Sequence, residues 1–169
     1  MKKNKKQSGT EINRRQMLSL GAAAGLAAGI VPDRAAAAET SATYPKVSIA
    51  PLAELEPGAQ IDFDYPDEDS PAILLRLDGP VEGGIGPGES IVAFSALCTH
   101  KGCPVAYNSE HKMLICPCHW SSFDPAKQGQ MIIGQGSENL PRITLRVENG
   151  TVEAVGVEGL IYGRLTNIL

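Results

Sequence analysis

Two short segments of this 169-residue chain contain all four of its cysteines and two of its three histidines. The first segment, Cys98–Cys103, reads CTHKGC, and the second, Cys116–Phe123, reads CPCHWSSF. Thiolate sulfur and imidazole nitrogen are donors that proteins use to hold zinc and some iron–sulfur centres. Because each segment offers both donors, the pattern predicts one shared metal centre with two cysteine and two histidine ligands, and two cysteines are left over.

Two kinds of centre accept this ligand set. Structural zinc is one, but zinc fingers usually place a cysteine pair before a histidine pair, whereas here the two residue types alternate. The other is a 2Fe–2S centre with two thiolates on one iron and two imidazoles on the other, whose reduction potential is roughly −150 to +300 mV. We favour the 2Fe–2S centre, and with it an electron carrier. Zinc, or a disulfide-bonded domain with incidental histidines, remains an alternative.

The spacing within the segments indicates which residues bind iron. His119 directly follows Cys118, and two adjacent residues would need a strained backbone to ligate together. Cys116 and His119 can both point inwards from one turn, as can Cys98 and His100. The resulting assignment is Cys98 and Cys116 on one iron, His100 and His119 on the other, and a disulfide between Cys103 and Cys118. Such a disulfide closes a loop of about 16 residues, worth about 3 kcal/mol in the chain-entropy model.

The N-terminal residues 1–38 predict an export signal. A lysine-rich start precedes Arg14-Arg15, an apolar stretch runs from Met17 to Val31, and alanines follow at 35–38. This order is typical of a twin-arginine signal, so we expect export to the periplasm and cleavage near Ala38. An uncleaved membrane anchor is the alternative, although about 15 apolar residues fall short of the roughly 20 that span a bilayer.

The charge of the chain changes once the signal is set aside. Residues 1–38 hold seven of the 15 Lys and Arg residues and two of the 19 Asp and Glu residues, which leaves residues 39–169 with a formal net charge of −9. This balance argues against nucleic-acid binding, which relies on clustered basic residues. An acidic cluster could steer a basic electron acceptor by long-range attraction, or it could be an ordinary solvated loop. Its members are Asp62, Asp64, Asp67, Glu68 and Asp69.

Residues 39–169 have the length of one domain and show no long helical periodicity. Short apolar or alternating runs, separated by Gly, Pro and Asp, predict an all-β fold with an antiparallel β-sandwich or barrel base. We expect a cluster-binding lobe inserted at about residues 96–137, a short helix over 99–110, a turn at Leu52–Leu55 and a hairpin turn at Asn149-Gly150. The predicted strands are Lys46–Ala50, Ala59–Phe63, Ala72–Leu77, Ser90–Ser95, Lys112–Ile115, Gln130–Ile133, Arg142–Val147 and Thr151–Val157.

Both cysteine segments resemble those of the Rieske family, including the disulfide pair of its high-potential branch. The chain is also similar to a narrower group, the small subunit of arsenite oxidase, in the segments Cys116–Pro125, Gly134–Gly136, Asn139–Pro141 and Leu160–Leu169. This resemblance implies one Rieske 2Fe–2S cluster and a large subunit with molybdopterin and another iron–sulfur cluster, where arsenite is oxidised. It implies a periplasmic cytochrome c or small copper protein as acceptor, and His100 and His119 as the electron gateway. Membrane contact is expected only if the signal is retained.

Two residues beside the expected cluster carry a prediction about its potential. By resemblance, Ser121 hydrogen-bonds a bridging sulfide, whereas Phe123 stands where cytochrome bc proteins have a tyrosine that donates to a ligand sulfur. Hydrogen bonds to sulfur are a recognised control on the potential because they stabilise the more negative reduced form. Keeping one such bond and losing the other predicts a midpoint potential below that of the bc-type proteins.

Two other functions within the family are alternatives. A Rieske subunit of a quinol-oxidising cytochrome bc-type complex would need an intact anchor and a mobile hinge, and Lys101 replaces the leucine that shields the cluster in such proteins. A ferredoxin-like component of an aromatic-ring oxygenase would be cytoplasmic and would lack the disulfide, so the export signal and the Cys103/Cys118 pair disfavour it. We therefore expect the electron-transfer subunit of an oxidoreductase, with no substrate-oxidising site of its own.

Overall fold

The computed structural model describes residues 43–168, and the predicted export signal lies outside these residues. Within them the chain is all-β, as predicted, with helical segments that are single short 3-10 turns at Leu52–Glu54, Pro87–Glu89 and Pro125–Lys127. In this part of the chain no helix is long and apolar enough to cross a membrane. The strands are β1 (Val47–Pro51), β2 (Gln60–Asp64), β3 (Pro71–Arg76), β4 (Ile91–Ser95), β5 (Ala106–Asn108), β6 (Met113–Ile115), β7 (Ser122–Asp124), β8 (Gln130–Ile133), β9 (Arg142–Glu148) and β10 (Thr151–Glu158).

The strands form two antiparallel sheets. Six strands make the larger sheet, in the order β1-β10-β9-β4-β3-β2, and four make the smaller sheet, in the order β5-β6-β7-β8. Strand β9 joins β10 through the predicted hairpin, where Asn149 and Gly150 have φ angles of 50° and 78° and Glu148 pairs with Thr151. Two central residues with positive φ suit the right-handed twist of a two-residue hairpin, so the Asn-Gly prediction is confirmed.

Strands β3 and β4 are buried on both faces and separate two apolar cores. One core lies on the face of Leu74 and Ile91 and includes Tyr65. The other core lies on the face of Ile73 and Phe94 and reaches the small sheet. Because successive strand residues point to opposite faces, burial of both faces requires an unbroken apolar run, which is what AILL in β3 and IVAF in β4 provide.

The small sheet belongs to a segment inserted between two neighbouring strands of the large sheet. The chain leaves β4 after Ser95 and returns at Pro141, whose carbonyl accepts the Ser95 N–H at 2.8 Å. Phe94 of β4 lies opposite Arg142 of β9. Both ends of the inserted segment leave the large sheet at the same point, so the segment forms a lobe attached to the sheet between β4 and β9.

The lobe departs from the sequence predictions in its short elements. The helix predicted over 99–110 is wrong, because these residues form a turn followed by β5, and strands β5 and β7 were not predicted. Strand β6 begins at Met113 and not at Lys112, whose φ of 54° places it in a turn. Three-residue strands present too few core-facing residues for an alternating pattern to show. Cross-strand bonds such as that from the Val105 N–H to the Ala96 carbonyl, at 2.8 Å, hold this segment extended.

Candidate metal centre

Two loops of the lobe carry the predicted ligands, and their backbones follow the same path. Loop 1 is Cys98–Cys103, and loop 2 is Cys116–Ser121. In each loop the N–H of the first cysteine donates to the carbonyl of the sixth residue, at 2.9 Å in loop 1 and 2.8 Å in loop 2. The carbonyl of the same cysteine accepts from the fifth residue, which is Gly102 or Trp120, with φ of 68° and 60°. In each loop, therefore, backbone hydrogen bonds join the first residue to the last and fix the positions from which the side chains project.

A disulfide joins the two loops. It connects Cys103 to Cys118, whose Cα atoms lie 6.5 Å apart, so the predicted disulfide is present. The sulfurs of these two residues and of Cys116 all lie within 4.8 Å of one another. Cysteines that share a disulfide have no thiolate to offer a metal, so this group of three sulfurs is not a second metal site. It shows that the disulfide packs directly beside Cys116.

The other two cysteines are buried free thiols, and the two histidines lie together nearer the surface. Cys98 and Cys116 are each 1% exposed. The rings of His100 and His119 have centroids 4.7 Å apart and planes at 78°, and His119 is solvent-exposed. Among the described residues, the buried Nδ1 of His100 has no hydrogen-bond partner, an arrangement that costs free energy unless the atom acquires a ligand. These four donors fit a 2Fe–2S centre, and their individual role as ligands stays a prediction.

The thiols are held in a dry environment. Burial raises the pKa of the Cys98 thiol, and the neighbouring Cys116 raises it further. Hydrogen bonds from the backbone N–H of His100 and from the Ser121 hydroxyl oppose the rise. Desolvation has this effect because it disfavours the charged thiolate. A thiol of raised pKa keeps its proton at neutral pH until a metal binds, so assembly of the centre releases protons.

Ser121 and Phe123, which the resemblance assigns to tuning of the cluster, are buried in the lobe, and that role stays a prediction. Both side chains are fully buried, and Phe123 packs in the same core as the two free cysteines. The Oγ atom of Ser121 accepts hydrogen bonds from the backbone N–H groups of Gln135, at 2.9 Å, and Gly136, at 3.0 Å. The contact between the Gly134-Gln135-Gly136 segment and Ser121 was not predicted from the sequence, in which this segment is only a mark of resemblance. Its closely spaced glycines were the available signal, since they allow a backbone to approach another closely.

The C-terminal segment reaches loop 1, a contact that the sequence did not predict. The ring of Tyr162 lies against Gly102, where an added Cβ would be 2.7 Å from Tyr162 Cδ1. Arg164 holds this segment through two hydrogen bonds to Asp67, at 2.7 and 2.5 Å, and this contact lowers the pKa of the Asp67 carboxyl. Asp67 is therefore paired with a cation, whereas the other four members of the acidic cluster, Asp62, Asp64, Glu68 and Asp69, are solvent-exposed.

Comparison with known proteins identifies the family. The sequence profile of the Rieske [2Fe-2S] domain matches residues 46–144. The chain is 39% identical over 160 residues to iodate reductase subunit IdrB of Denitromonas iodatirespirans, covering 92% of this chain and 86% of that protein. It is 41% identical over only 70 residues to the cytochrome bc1 complex Rieske iron-sulfur subunit of Streptomyces lividans, covering 40% of this chain and 41% of that protein. The soluble domain of Rieske protein II (soxF) from Sulfolobus acidocaldarius shares the fold, with a TM-score of 0.62 at 23% identity, covering 73% of this chain and 85% of that domain.

The chain therefore belongs to the Rieske 2Fe–2S family. Its cofactor is a Rieske-type 2Fe–2S cluster, for which the two buried free thiols and the adjacent imidazoles provide a donor set of the right composition. This outcome favours the mixed-ligand iron–sulfur interpretation over structural zinc and over a domain held by a disulfide alone.

Proposed function

We propose that this chain is the electron-transfer subunit of a periplasmic oxidoreductase that acts on a small inorganic oxyanion. The observation that carries the proposal is the layered arrangement of the donors, with both thiols buried and the imidazole of His119 exposed to solvent. The cluster, when bound, supplies reversible one-electron transfer at a middle potential. An exposed imidazole edge gives a partner protein a short path to that centre, whereas the buried side protects the sulfurs from water.

The residues around the site contribute binding and orientation. Cys98, Cys116, His100 and His119 would hold the two irons, as assigned from their spacing. The Cys103–Cys118 disulfide keeps the two ligand loops together whether or not iron is present. Ser121 provides a buried hydroxyl on the thiol side, in contact with Cys98.

The first candidate for the whole enzyme is arsenite oxidase. The Cys116–Pro125, Gly134–Gly136 and Leu160–Leu169 segments resemble its small subunit. That resemblance implies a large subunit with molybdopterin, where arsenite would be oxidised, and a cytochrome c or small copper protein that takes the electrons from the cluster. The C-terminal segment exposes three apolar side chains, those of Leu160, Tyr162 and Leu165, while the buried residues Ile161 and Asn167 anchor it. These exposed side chains support a contact between part of this segment and the large subunit.

The second candidate is iodate reductase, in which the electrons would run in the opposite direction. It is favoured by the name of the relative that matches 92% of this chain. A cytochrome bc-type function has weaker support, since the bc1 relative covers 40% of this chain. Lys101, exposed beside His100, also disfavours the apolar contact that quinol oxidation requires.

Export to the periplasm remains part of the proposal. The disulfide supports it, because disulfides persist in oxidising compartments and are rare in the cytoplasm. Cleavage of the signal predicts that the mature N-terminus, determined by mass spectrometry of the periplasmic protein, lies near residue 39. A cytoplasmic protein with an intact N-terminus would contradict export by the twin-arginine route.

The deciding experiment is isolation of the native complex from periplasm, followed by reduction and oxidation of its cluster. For arsenite oxidase, a large molybdenum subunit co-purifies, and arsenite reduces the cluster, bleaching its visible absorption. For iodate reductase, arsenite has no effect, and iodate reoxidises a reduced cluster. Co-purification of cytochromes b and c without molybdenum would refute both candidates. Cys98→Ser should abolish the absorption, whereas the matched control His111→Ala, at an exposed histidine outside the loops, should retain it.

A further inference from the structure

The third loop of the lobe, Gly134–Gly136, makes an unusual contact with loop 2. It follows β8 and turns back over Ser121, whose side chain is fully buried. Two consecutive backbone N–H groups of this loop, those of Gln135 and Gly136, both donate to the Ser121 Oγ atom, at 2.9 and 3.0 Å. The third loop therefore touches a buried hydroxyl that lies beside Cys98.

The hydrogen-bonding capacity of a hydroxyl determines where its proton goes. A serine hydroxyl has two acceptor lone pairs and one proton, and the two amides of the third loop occupy both lone pairs of Ser121. The proton must then be donated to a third atom, and the neighbouring acceptor is the sulfur of Cys98. We propose that the paired amides of Gln135 and Gly136 are a positioning device that turns the Ser121 hydroxyl proton towards the sulfurs at the Cys98 end of the cluster.

The approach of the third loop depends on its glycines. A Cβ on Gly134 would lie 2.4 Å from the Ser121 Cα atom, and its φ of +115° is one that side chains rarely adopt. A Cβ on Gly136 would lie 3.0 Å from Thr99 Oγ1 and 3.2 Å from Phe123 Cζ. Both glycines leave room for the backbone to reach the hydroxyl, so the segment is built for this contact and does not meet Ser121 by chance.

Hydrogen bonds between loop 1 and the two residues that directly follow the third loop, Ser137 and Glu138, hold the third loop in place. Thr99 Oγ1 donates to the Glu138 carbonyl at 2.8 Å, and Ser137 Oγ donates to the Thr99 carbonyl at 3.1 Å. The third loop is thus tied to loop 1 on one side and to Ser121 of loop 2 on the other. The two amides that bind the Ser121 hydroxyl are thereby held in place, so the hydroxyl keeps one orientation, which a freely rotating hydroxyl would not.

This device affects the potential of the cluster. An O–H group that accepts two hydrogen bonds is polarised and donates more strongly, and donation to sulfur stabilises the more negative reduced form. The backbone N–H of Gln135 raises the midpoint potential through Ser121, and the Gln135 side chain has no part in it. The inference depends on the family's cofactor and not on the proposed substrate, so its failure would leave the arsenite and iodate proposals standing.

The test compares Gln135→Pro, which deletes the N–H, with Gln135→Ala, which keeps it. The midpoint potential of the cluster-containing protein is measured for both variants, for Ser121→Ala, and for Ser121→Ala combined with Gln135→Pro. We expect a lower midpoint for Ser121→Ala, a smaller decrease for Gln135→Pro, and the wild-type value for Gln135→Ala. In the Ser121→Ala background, Gln135→Pro should cause no further decrease. Equal decreases in both backgrounds, or no decrease for Gln135→Pro, would overturn the proposal.

A second measurement applies even if the proline variant does not fold. Amide hydrogen exchange at residues 135 and 136 is followed in the wild-type protein and in Ser121→Ala. Loss of one hydrogen bond per amide should accelerate exchange at both positions, roughly two- to tenfold for a typical intramolecular bond, while the amides of β9 keep their protection. Unchanged exchange at Gln135 and Gly136 would show that they are not bonded to Ser121 and would refute the inference.

Discussion

Replacement of Phe123 by tyrosine adds a hydrogen-bond donor in the core beside the cluster. Phe123 is fully buried and shares a core with Cys98 and Cys116. Water does not reach the ring, so a new hydroxyl must find a partner in the protein or remain unpaired, which costs about 1–3 kcal/mol. In the bc-type proteins that the chain resembles, the tyrosine hydroxyl donates to a ligand sulfur. We therefore expect Phe123→Tyr to raise the midpoint potential.

The size of the increase follows from the charge of the acceptor. A hydrogen bond to a charged group is worth about 1.5–3 kcal/mol, against about 0.5–1.5 kcal/mol for a neutral one. Reduction adds one negative charge to the cluster, so the new bond should favour the reduced form by about 1 kcal/mol. For a one-electron couple, 59 mV corresponds to a tenfold change in the equilibrium constant, which is 1.36 kcal/mol. The expected increase is therefore about 40 mV.

A redox titration followed by the paramagnetic resonance of the reduced cluster measures this shift. Phe123→Leu is the matched control, since it disturbs the same core without adding a donor, and its midpoint should not rise. An unchanged or lower midpoint in Phe123→Tyr, with full cluster content, would refute the reasoning. A protein of lower thermal stability with no change in midpoint would show that the hydroxyl stays unpaired against the third loop.

Three further predictions concern stability. Replacing Cys103 and Cys118 together by serine should cost about 3 kcal/mol and accelerate cluster loss in denaturant; an unchanged rate would contradict it. The lowered pKa of Asp67 means that its pairing with Arg164 stabilises the fold above the ordinary carboxyl pKa and is lost as pH falls through the lowered pKa. Arg164→Gln should therefore lower the melting temperature at pH 6, and this deficit should shrink as the pH is lowered below the ordinary carboxyl pKa. Burial raises the pKa of Tyr65 to about 12, so its contribution to stability is complete below pH 10 and lost as pH rises; the deficit of Tyr65→Phe in melting temperature should shrink between pH 7 and pH 12.

The chemistry of the site could be predicted from residue types alone. Thiols and imidazoles have few roles in a small acidic domain, and the alternation of Cys and His within CTHKGC and CPCHWSSF indicates a mixed-ligand iron–sulfur centre more strongly than zinc. The all-β class was equally accessible, because the apolar runs of β3 and β4 and the Asn149-Gly150 turn are local signals. These features depend on neighbours in the chain, and local sequence contains that information.

Contacts between distant segments could not be read in this way. No local pattern predicts that the N–H groups of Gln135 and Gly136 bind the Ser121 hydroxyl, or that the Tyr162 ring packs on Gly102. Both contacts join loops from separate parts of the chain. The shared backbone path of the two ligand loops is also hidden, because the histidines occupy different positions in loops of the same shape. Strands of three residues, such as β5 and β7, are defined only by their pairing with neighbouring strands in the folded lobe.

The amino-acid sequence by itself thus determined the disulfide partners and the all-β class and predicted the donor set, because each depends on residue chemistry and short-range spacing. Tertiary structure decided which sulfurs are dry, which imidazole faces solvent and which amides orient the buried hydroxyl. Those properties depend on the approach of segments far apart in the chain, where burial and hydrogen-bond geometry determine the free energy of each redox state.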